Sequence, residues 1–167
     1  KYLQKLHPTC FEDLVILNCM YRPGPMEYIS TLVRQKHSKK AVKYIIPCME
    51  KYLHNTYGII VYQEQIMMLS RLIANFDRGE SDLLRKALGK KKMDVLSVLK
   101  LRFIQGGIKN GHKKNALEKV WNEMEAKGMY AFQKSHAVCY TWLAYQIAYL
   151  KANYPDEFKQ ALEKYSD

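Results

Sequence analysis

From Val138 to Leu150, eleven of thirteen residues are hydrophobic, the exceptions being Thr141 and Gln146. No other feature restricts the folding of this chain as much. A helix that is apolar on every side has to be covered all round, by protein or by lipid. The run is well short of the roughly twenty residues that cross a bilayer. It therefore reads as a core helix and not as a membrane anchor. Ser135 stands where it can cap that helix and Pro155 where it ends it, with a short amphipathic helix closing the chain.

The remaining segments carry helix punctuation at short intervals. Thr9-Cys10-Phe11-Glu12 has the form of a capping box, predicting a helix to about Cys19. Tyr21-Arg22-Pro23-Gly24-Pro25 breaks it, and Pro25 suits the first turn of a helix over about 26–36. Pro47 opens a short helix ending near Asn55. Ile66, Leu69 and Ile73 at helical spacing predict a helix over about 63–75. The turn Asp77-Arg78-Gly79 leads into another, with Gly89 as its C-terminal cap. The next starts near Met93 and stops at Gly106-Gly107, and Asn115 caps a further one ending near Gly128. Tyr57 to Tyr62 is the only β-rich run, too short to build a sheet. The class is all-α, a multi-helical domain with at most a minor strand pair.

The net charge is +11, and its placement matters more than its size. From Arg85 to Lys114 ten Lys or Arg residues face one acid, Asp94, giving +9; the other seventeen basic residues meet fifteen acids, giving +2. A solvated helix face mixes signs, so this bias favours a polyanionic partner, nucleic acid or nucleotide. Four to six phosphate contacts would give log affinity against log salt a slope of roughly −4 to −5 on duplex DNA. The cysteines (Cys10, Cys19, Cys48, Cys139) lack C-x-x-C spacing, which argues against zinc or a disulfide framework and for reduced thiols in an intracellular, cytoplasmic protein. The start at Lys1, with no initiator Met and no leader, reads as that of an excised fragment.

Residues 128–135, Gly-Met-Tyr-Ala-Phe-Gln-Lys-Ser, nearly spell a phosphate-binding P-loop. Gln133 replaces the second glycine, however, and a P-loop needs a strand before it. The NTPase reading fails. What survives is the placement of Lys134, Ser135 and His136 at a helix start, where free N–H groups favour anions. The second cationic site is Arg85-Lys86-Ala87-Leu88-Gly89-Lys90-Lys91-Lys92. Arg102, Lys109, Lys113 and Lys114 extend it. Asp77, Glu80 and Asp82 lie close together, but at a helix start, where acids are favoured anyway. The histidines have no metal-ligand spacing.

Several blocks in order resemble the bacterial DNA polymerase III alpha subunit, a C-family replicative polymerase. They are residues 21–26 (Tyr-Arg-Pro-Gly-Pro-Met), 34–37 (Arg-Gln-Lys-His), 57–65 (Tyr-Gly-Ile-Ile-Val-Tyr-Gln-Glu-Gln) and 83–91 (Leu-Leu-Arg-Lys-Ala-Leu-Gly-Lys-Lys). Lys109-Asn110-Gly111, 132–137 (Phe-Gln-Lys-Ser-His-Ala) and 148–158 (Ala-Tyr-Leu-Lys-Ala-Asn-Tyr-Pro-Asp-Glu-Phe) follow. Together they run almost the length of the chain. Gln133 stands where that family usually has asparagine, and Ser38 where it usually has glycine.

The resemblance implies the fingers region of a DNA-directed DNA polymerase of chromosomal replication. Residues 1–25 would be the palm-to-fingers junction, 26–154 the helical fingers and 155–167 a C-terminal tail. It implies nucleotide contacts at Arg85, Lys86, Lys90, Lys134, Ser135 and His136, and DNA-backbone contacts at Lys91, Lys92, Arg102, Lys109, Lys113 and Lys114. Arg22 would brace the junction or touch nucleotide. The aspartates that hold Mg2+ lie upstream in that family, so no metal ligand and no catalytic residue is expected here, and the piece alone is expected to be inactive. The implied partners are template-primer DNA, incoming dNTP, the palm and the rest of the alpha subunit, and the other replicase subunits. The implied location is the bacterial cytoplasm, in association with the nucleoid. Two rivals remain. A stand-alone basic helical module that binds nucleic acid needs only one continuous basic face, and a helical interaction scaffold needs a broad exposed apolar patch.

Overall fold

The computed structural model describes residues 1–165. They form the helices α1 (Tyr2–Leu6), α2 (Phe11–Met20), α3 (Ile29–His37), α4 (Glu50–Leu53) and α5 (Gln63–Ala74). α6 (Arg78–Gly89), α7 (Met93–Lys109), α8 (Lys114–Gly128), α9 (Lys134–Asn153) and α10 (Pro155–Tyr165) follow. Short 3-10 turns at Pro25–Tyr28, Pro47–Met49 and His54–Thr56 fill the proline-led connections. The all-α expectation holds, and the strand pairing reduces to one parallel bridge between Tyr62 and Phe132.

Two apolar cores share one extended segment. Leu69 and Ile73 of α5, Leu84 of α6, Phe103 of α7 and Trp121 of α8 fill the larger core. In it the Phe103 ring packs on both Phe76 and Trp121, with centroids 6.0 and 5.7 Å away. Leu6, Ile16, Leu32 and Ala137 belong to the smaller core. Residues 59–61 run between the two, sending Ile60 to the first and Ile59 and Val61 to the second, where Tyr62 joins them. That is the period-two alternation of extended chain.

Gly106 and Gly107 do not stop α7, as their sequence had suggested; the helix runs through both to Lys109. They are there because neighbours come close. A Cβ on Gly106 would stand 2.2 Å from the Ala74 carbonyl oxygen, and one on Gly107 2.3 Å from Leu117 Cδ2. Four caps are also displaced, the first at α6, where Gly89 is the last helical residue and Lys90 the cap. Asp13, not Glu12, completes the box at α2. Lys113 precedes α8 in place of Asn115, and Gln133 precedes α9 in place of Ser135.

The larger correction concerns the 138–150 run. It is helical, but it is not a core helix: within α9 only Ala137 and Thr141 are buried. Leu143 is 57% exposed, Trp142 53% and Tyr149 51%. α2 covers one side, where Asn18 Nδ2 donates to Thr141 Oγ1 at 3.1 Å and the Phe11 ring meets Trp142 edge-on. α10 lies against α9 but buries none of its own residues. Among the described residues, no helix is long and apolar enough to cross a membrane.

Candidate nucleic-acid interface

Two segments that carry distant cations converge on the start of α5. Gln63 N–H donates to the Phe132 carbonyl at 2.9 Å, and Phe132 N–H donates to Val61 O at 2.9 Å. The strand bridge therefore holds the beginnings of α5 and α9 together. Arg85 on α6 reaches this point, with Nη1 at 3.4 Å from Gln63 Oε1. Lys134 arrives from the other side. Its backbone N–H points at both Glu64 carboxylate oxygens, 3.1 Å each, and its ammonium pairs with Glu12 at 3.0 Å. Arg85 and Lys134 thus contact consecutive residues of α5, although they stand far apart in sequence.

The local electrostatics are more balanced than the sequence alone suggested. Lys134 and Lys51 share a cleft of about 210 Å³ with Glu12 and Glu64. Arg85 and Lys86 both pair with Asp82, at 2.7 Å each. Hydrogen bonds from Lys86 and then Arg85 hold the Asp82 carboxyl below its ordinary pKa. Tyr62, whose hydroxyl donates to Glu12 Oε1 at 2.9 Å, has its own pKa pushed far up by burial first and by Glu12 second. Ser135 and His136 are exposed, and the His136 ring lies between those of Phe132 (5.4 Å) and Tyr140 (4.7 Å), tilted to both.

Of the residues assigned to DNA, Arg102 is the most deeply engaged within the fold. Its guanidinium pairs with Glu80 at 2.9 Å, donates to the carbonyls of Ala74 and Asn75, and lies over the Phe76 ring. Lys114 stands 3.9 Å from Glu118 on its own helix, an exposed pair of little energetic weight. Lys90, Lys91, Lys92, Lys109 and Lys113 are exposed and make no ion pair among the described residues. They do not form one strip. The 17 residues of α7 separate the 90–92 group from the 109–114 group by roughly 25 Å at 1.5 Å per residue. Between the two groups Val98 and Leu101 are each 66% exposed.

Arg22 has a structural task that its sequence left open. Its Nε donates to Cys19 O at 2.8 Å, its Nη2 to the Tyr130 carbonyl, and its guanidinium lies 4.6 Å over the Phe132 ring. It fastens the end of α2 to the loop leading into α9. Sequence reasoning missed Glu12, Glu64 and the buried group of Asp13, Lys36 and Tyr57. Lone acids in amphipathic segments read as surface residues. Only the folded chain brings them to their partners.

Comparison with known proteins identifies the family. The family model for the bacterial DNA polymerase III alpha subunit finger domain matches residues 1–111. The chain belongs to that family. Among similar proteins, the DNA polymerase III subunit alpha of Aquifex aeolicus is 44% identical over 158 residues, covering 93% of this chain and 14% of that protein. The subunit of Halalkalibacterium halodurans is 44% identical over 162 residues (97% and 14%), and that of Borreliella burgdorferi 43% over 159 residues (95% and 14%). The chain thus spans about 14% of the length of these relatives.

Membership in this finger-domain family raises the question of the magnesium that the resemblance implies. The chain's own residues do not suit it. Among the described residues no three His, Cys, Asp or Glu side chains gather as a metal site. The nearest acids are otherwise engaged: Asp77 and Glu80 close the capping box of α6, Glu80 also holds Arg102, and Asp82 holds Arg85 and Lys86. No metal-dependent step is assigned to these residues.

Proposed function

We propose that this chain is the fingers region of a DNA-directed DNA polymerase of bacterial replication. Its role is to hold the incoming dNTP triphosphate and the template-primer backbone for chemistry carried out by residues elsewhere in the polypeptide. The observation that carries the reading is that the Arg85 side chain and the Lys134 backbone contact consecutive residues, Gln63 and Glu64, at the start of α5. A triphosphate concentrates negative charge in one place, and cations gathered from separate helices suit it better than a charged helix face. Arg85, Lys86 and Lys90 from α6 and its following turn, with Lys134, Ser135 and His136 from α9, form the nucleotide side. Lys91, Lys92, Arg102, Lys109, Lys113 and Lys114 form the DNA side. Glu12 and Glu64 balance Lys134 until phosphate oxygens displace them. A stand-alone DNA-binding module is less suited to the geometry, because α7 interposes exposed apolar residues between its two lysine groups.

The same reading places the rest of the alpha subunit, the palm included, against α9 and α10. Support comes from their exposed apolar residues and from a groove of about 510 Å³ lined by Tyr2, Leu14, Leu17, Tyr145 and Ala148. Mg2+ belongs to the palm in this scheme, and the other replicase subunits are partners of the whole polypeptide.

The experiment is Arg85→Ala in the full-length enzyme. Arg85 is partly exposed and pairs with a carboxylate at the surface, so folding loses at most about 1 kcal/mol. Loss of a charged hydrogen bond to phosphate costs about 1.5–3 kcal/mol, a drop in kcat/KM for nucleotide of about 10- to 100-fold. Unchanged steady-state kinetics would overturn the assignment.

A further inference from the structure

α7 has two apolar faces where a surface helix needs one. On its inner face Leu96, Leu99 and Phe103 are buried. On its outer face Val98 and Leu101 are each 66% exposed, and Ile108 is 49% exposed. Leu101 follows Val98 by three residues and precedes Ile108 by seven. At 3.6 residues per turn the three fall within roughly 80° of the helix circumference, along roughly 15 Å of its length. Gln105, also exposed, completes the spacing 98, 101, 105, 108. Alternating steps of three and four are the pattern by which one helix packs lengthwise on another.

Charge restricts what can cover this stripe. Lys90 to Lys92 lie before it and Lys109 and Lys113 beyond it, all exposed and without an ion pair among the described residues. Asp94 is the one acid between Arg85 and Lys114. A second copy of this chain would bring the same cations to the same place and be repelled. The sugar-phosphate backbone of duplex DNA answers the lysines but leaves the aliphatic side chains without a partner. A helix with apolar residues at matching intervals, and Asp or Glu on either side of them, answers both.

We propose that the outer face of α7 is a docking surface for an amphipathic helix of another protein, one whose apolar stripe is bordered by acidic residues. Three side chains make a small contact, which suits a partner that comes and goes. The flanking lysines include those placed on the DNA side above, so the acidic helix and DNA exclude one another. In that respect the inference rests on the function proposed above and adds a regulation to it.

The test uses the full-length polypeptide and three labelled synthetic helices, with binding read by fluorescence anisotropy. The first helix has three heptads with Leu at the core positions and Glu at the flanking ones. The second has Lys in place of Glu, and the third has the composition of the first in an order without a stripe. The first is expected to bind at least about 10-fold more tightly than either of the others. Val98→Ser combined with Leu101→Ser changes two exposed positions, and is expected to weaken that binding about 10-fold while leaving affinity for a primer–template duplex unchanged. No binding of the first helix overturns the inference, as does equal binding of the first and third, or equal binding of the first by wild type and variant. A variant that loses duplex affinity in the same proportion overturns it too, since nucleic acid would then be what covers α7. The functional reading fails separately: a duplex that does not displace the bound first helix counts against the DNA side and the regulation, and leaves the docking in place.

Discussion

Asp13 is the residue whose loss should cost the fold most for the smallest change in shape. Its side chain is 1% exposed and that of its partner Lys36 is 6% exposed, with Nζ 2.5 Å from Oδ2. The same oxygen accepts from the Thr9 N–H at 2.8 Å, and Oδ1 accepts from the Tyr57 hydroxyl at 2.7 Å. Lys36 also donates to Thr9 Oγ1 at 2.8 Å. One carboxylate thus ties the start of α2 to α3 and to the turn before residues 59–62. Asp13→Asn keeps the volume, removes the charge and leaves the Lys36 ammonium buried without a counter-ion. Breaking one partner of a buried pair costs about 3–5 kcal/mol, about a fifth or more of the roughly 5–15 kcal/mol that holds a typical domain. Urea unfolding of Asp13→Asn should show the midpoint falling with an unchanged m-value. Pairing it with Lys36→Met should recover part of the loss, since the stranded ammonium is then gone. A loss under about 1 kcal/mol, in the range of surface ion pairs, would refute the claim that this pair is buried and binding.

The same group sets a pH dependence. Burial opposes ionisation of Asp13, but the hydrogen bonds from Lys36, Thr9 and Tyr57 outweigh it and hold the pKa far below the ordinary value. A depressed carboxyl stabilises the fold above its unfolded pKa of about 3.9 and loses that contribution as pH falls toward the folded value. Acid titration should therefore show wild type losing stability below about pH 5 more steeply than Asp13→Asn. Gly106→Ala should destabilise more than Gly107→Ala in urea titrations, because the first Cβ meets the Ala74 backbone and the second only the flexible end of Leu117. Aqueous quenchers should reach Trp142 but not the buried Trp121 in this chain, and should lose access to Trp142 in the full-length subunit if α9 is covered there. Thiol reagents should label exposed Cys10 and Cys139 quickly and spare Cys19, whose pKa burial pushes up to about 12.

Helix positions were largely legible because the signals are local. Asp77 with Glu80, Pro25 and Pro47 mark boundaries by geometry confined to one turn, and the structure uses all of them. The errors arise where a residue answers to something distant. Gly106 and Gly107 look like a stop because glycine usually is one; here they let α7 approach the Ala74 backbone and Leu117, a fact of packing that one helix cannot reveal. Lys134 was visible as a cation at a helix start. Its partners Glu12 and Glu64 were not, since more than a hundred positions separate Lys134 from the first of them.

α9 is the most instructive case. Its composition calls for cover, but composition does not say that these residues supply it. Hydrophobicity states how much surface must leave water and says nothing about which segment removes it. The relatives carry the whole matched region within chains of which it forms only 14%. On the function proposed above, an apolar helix with so few neighbours among the described residues marks a junction. On the same function, Trp142, Leu143 and Tyr149 would serve alongside the lysines, by fixing the angle at which the basic turns face the palm. Tyr149→Lys should therefore perturb a full-length polymerase, through docking of the domain, while leaving the urea stability of the isolated chain within about 0.5 kcal/mol, as a surface change does. A full-length enzyme indifferent to that lysine would show the exposed face to be surface and nothing more.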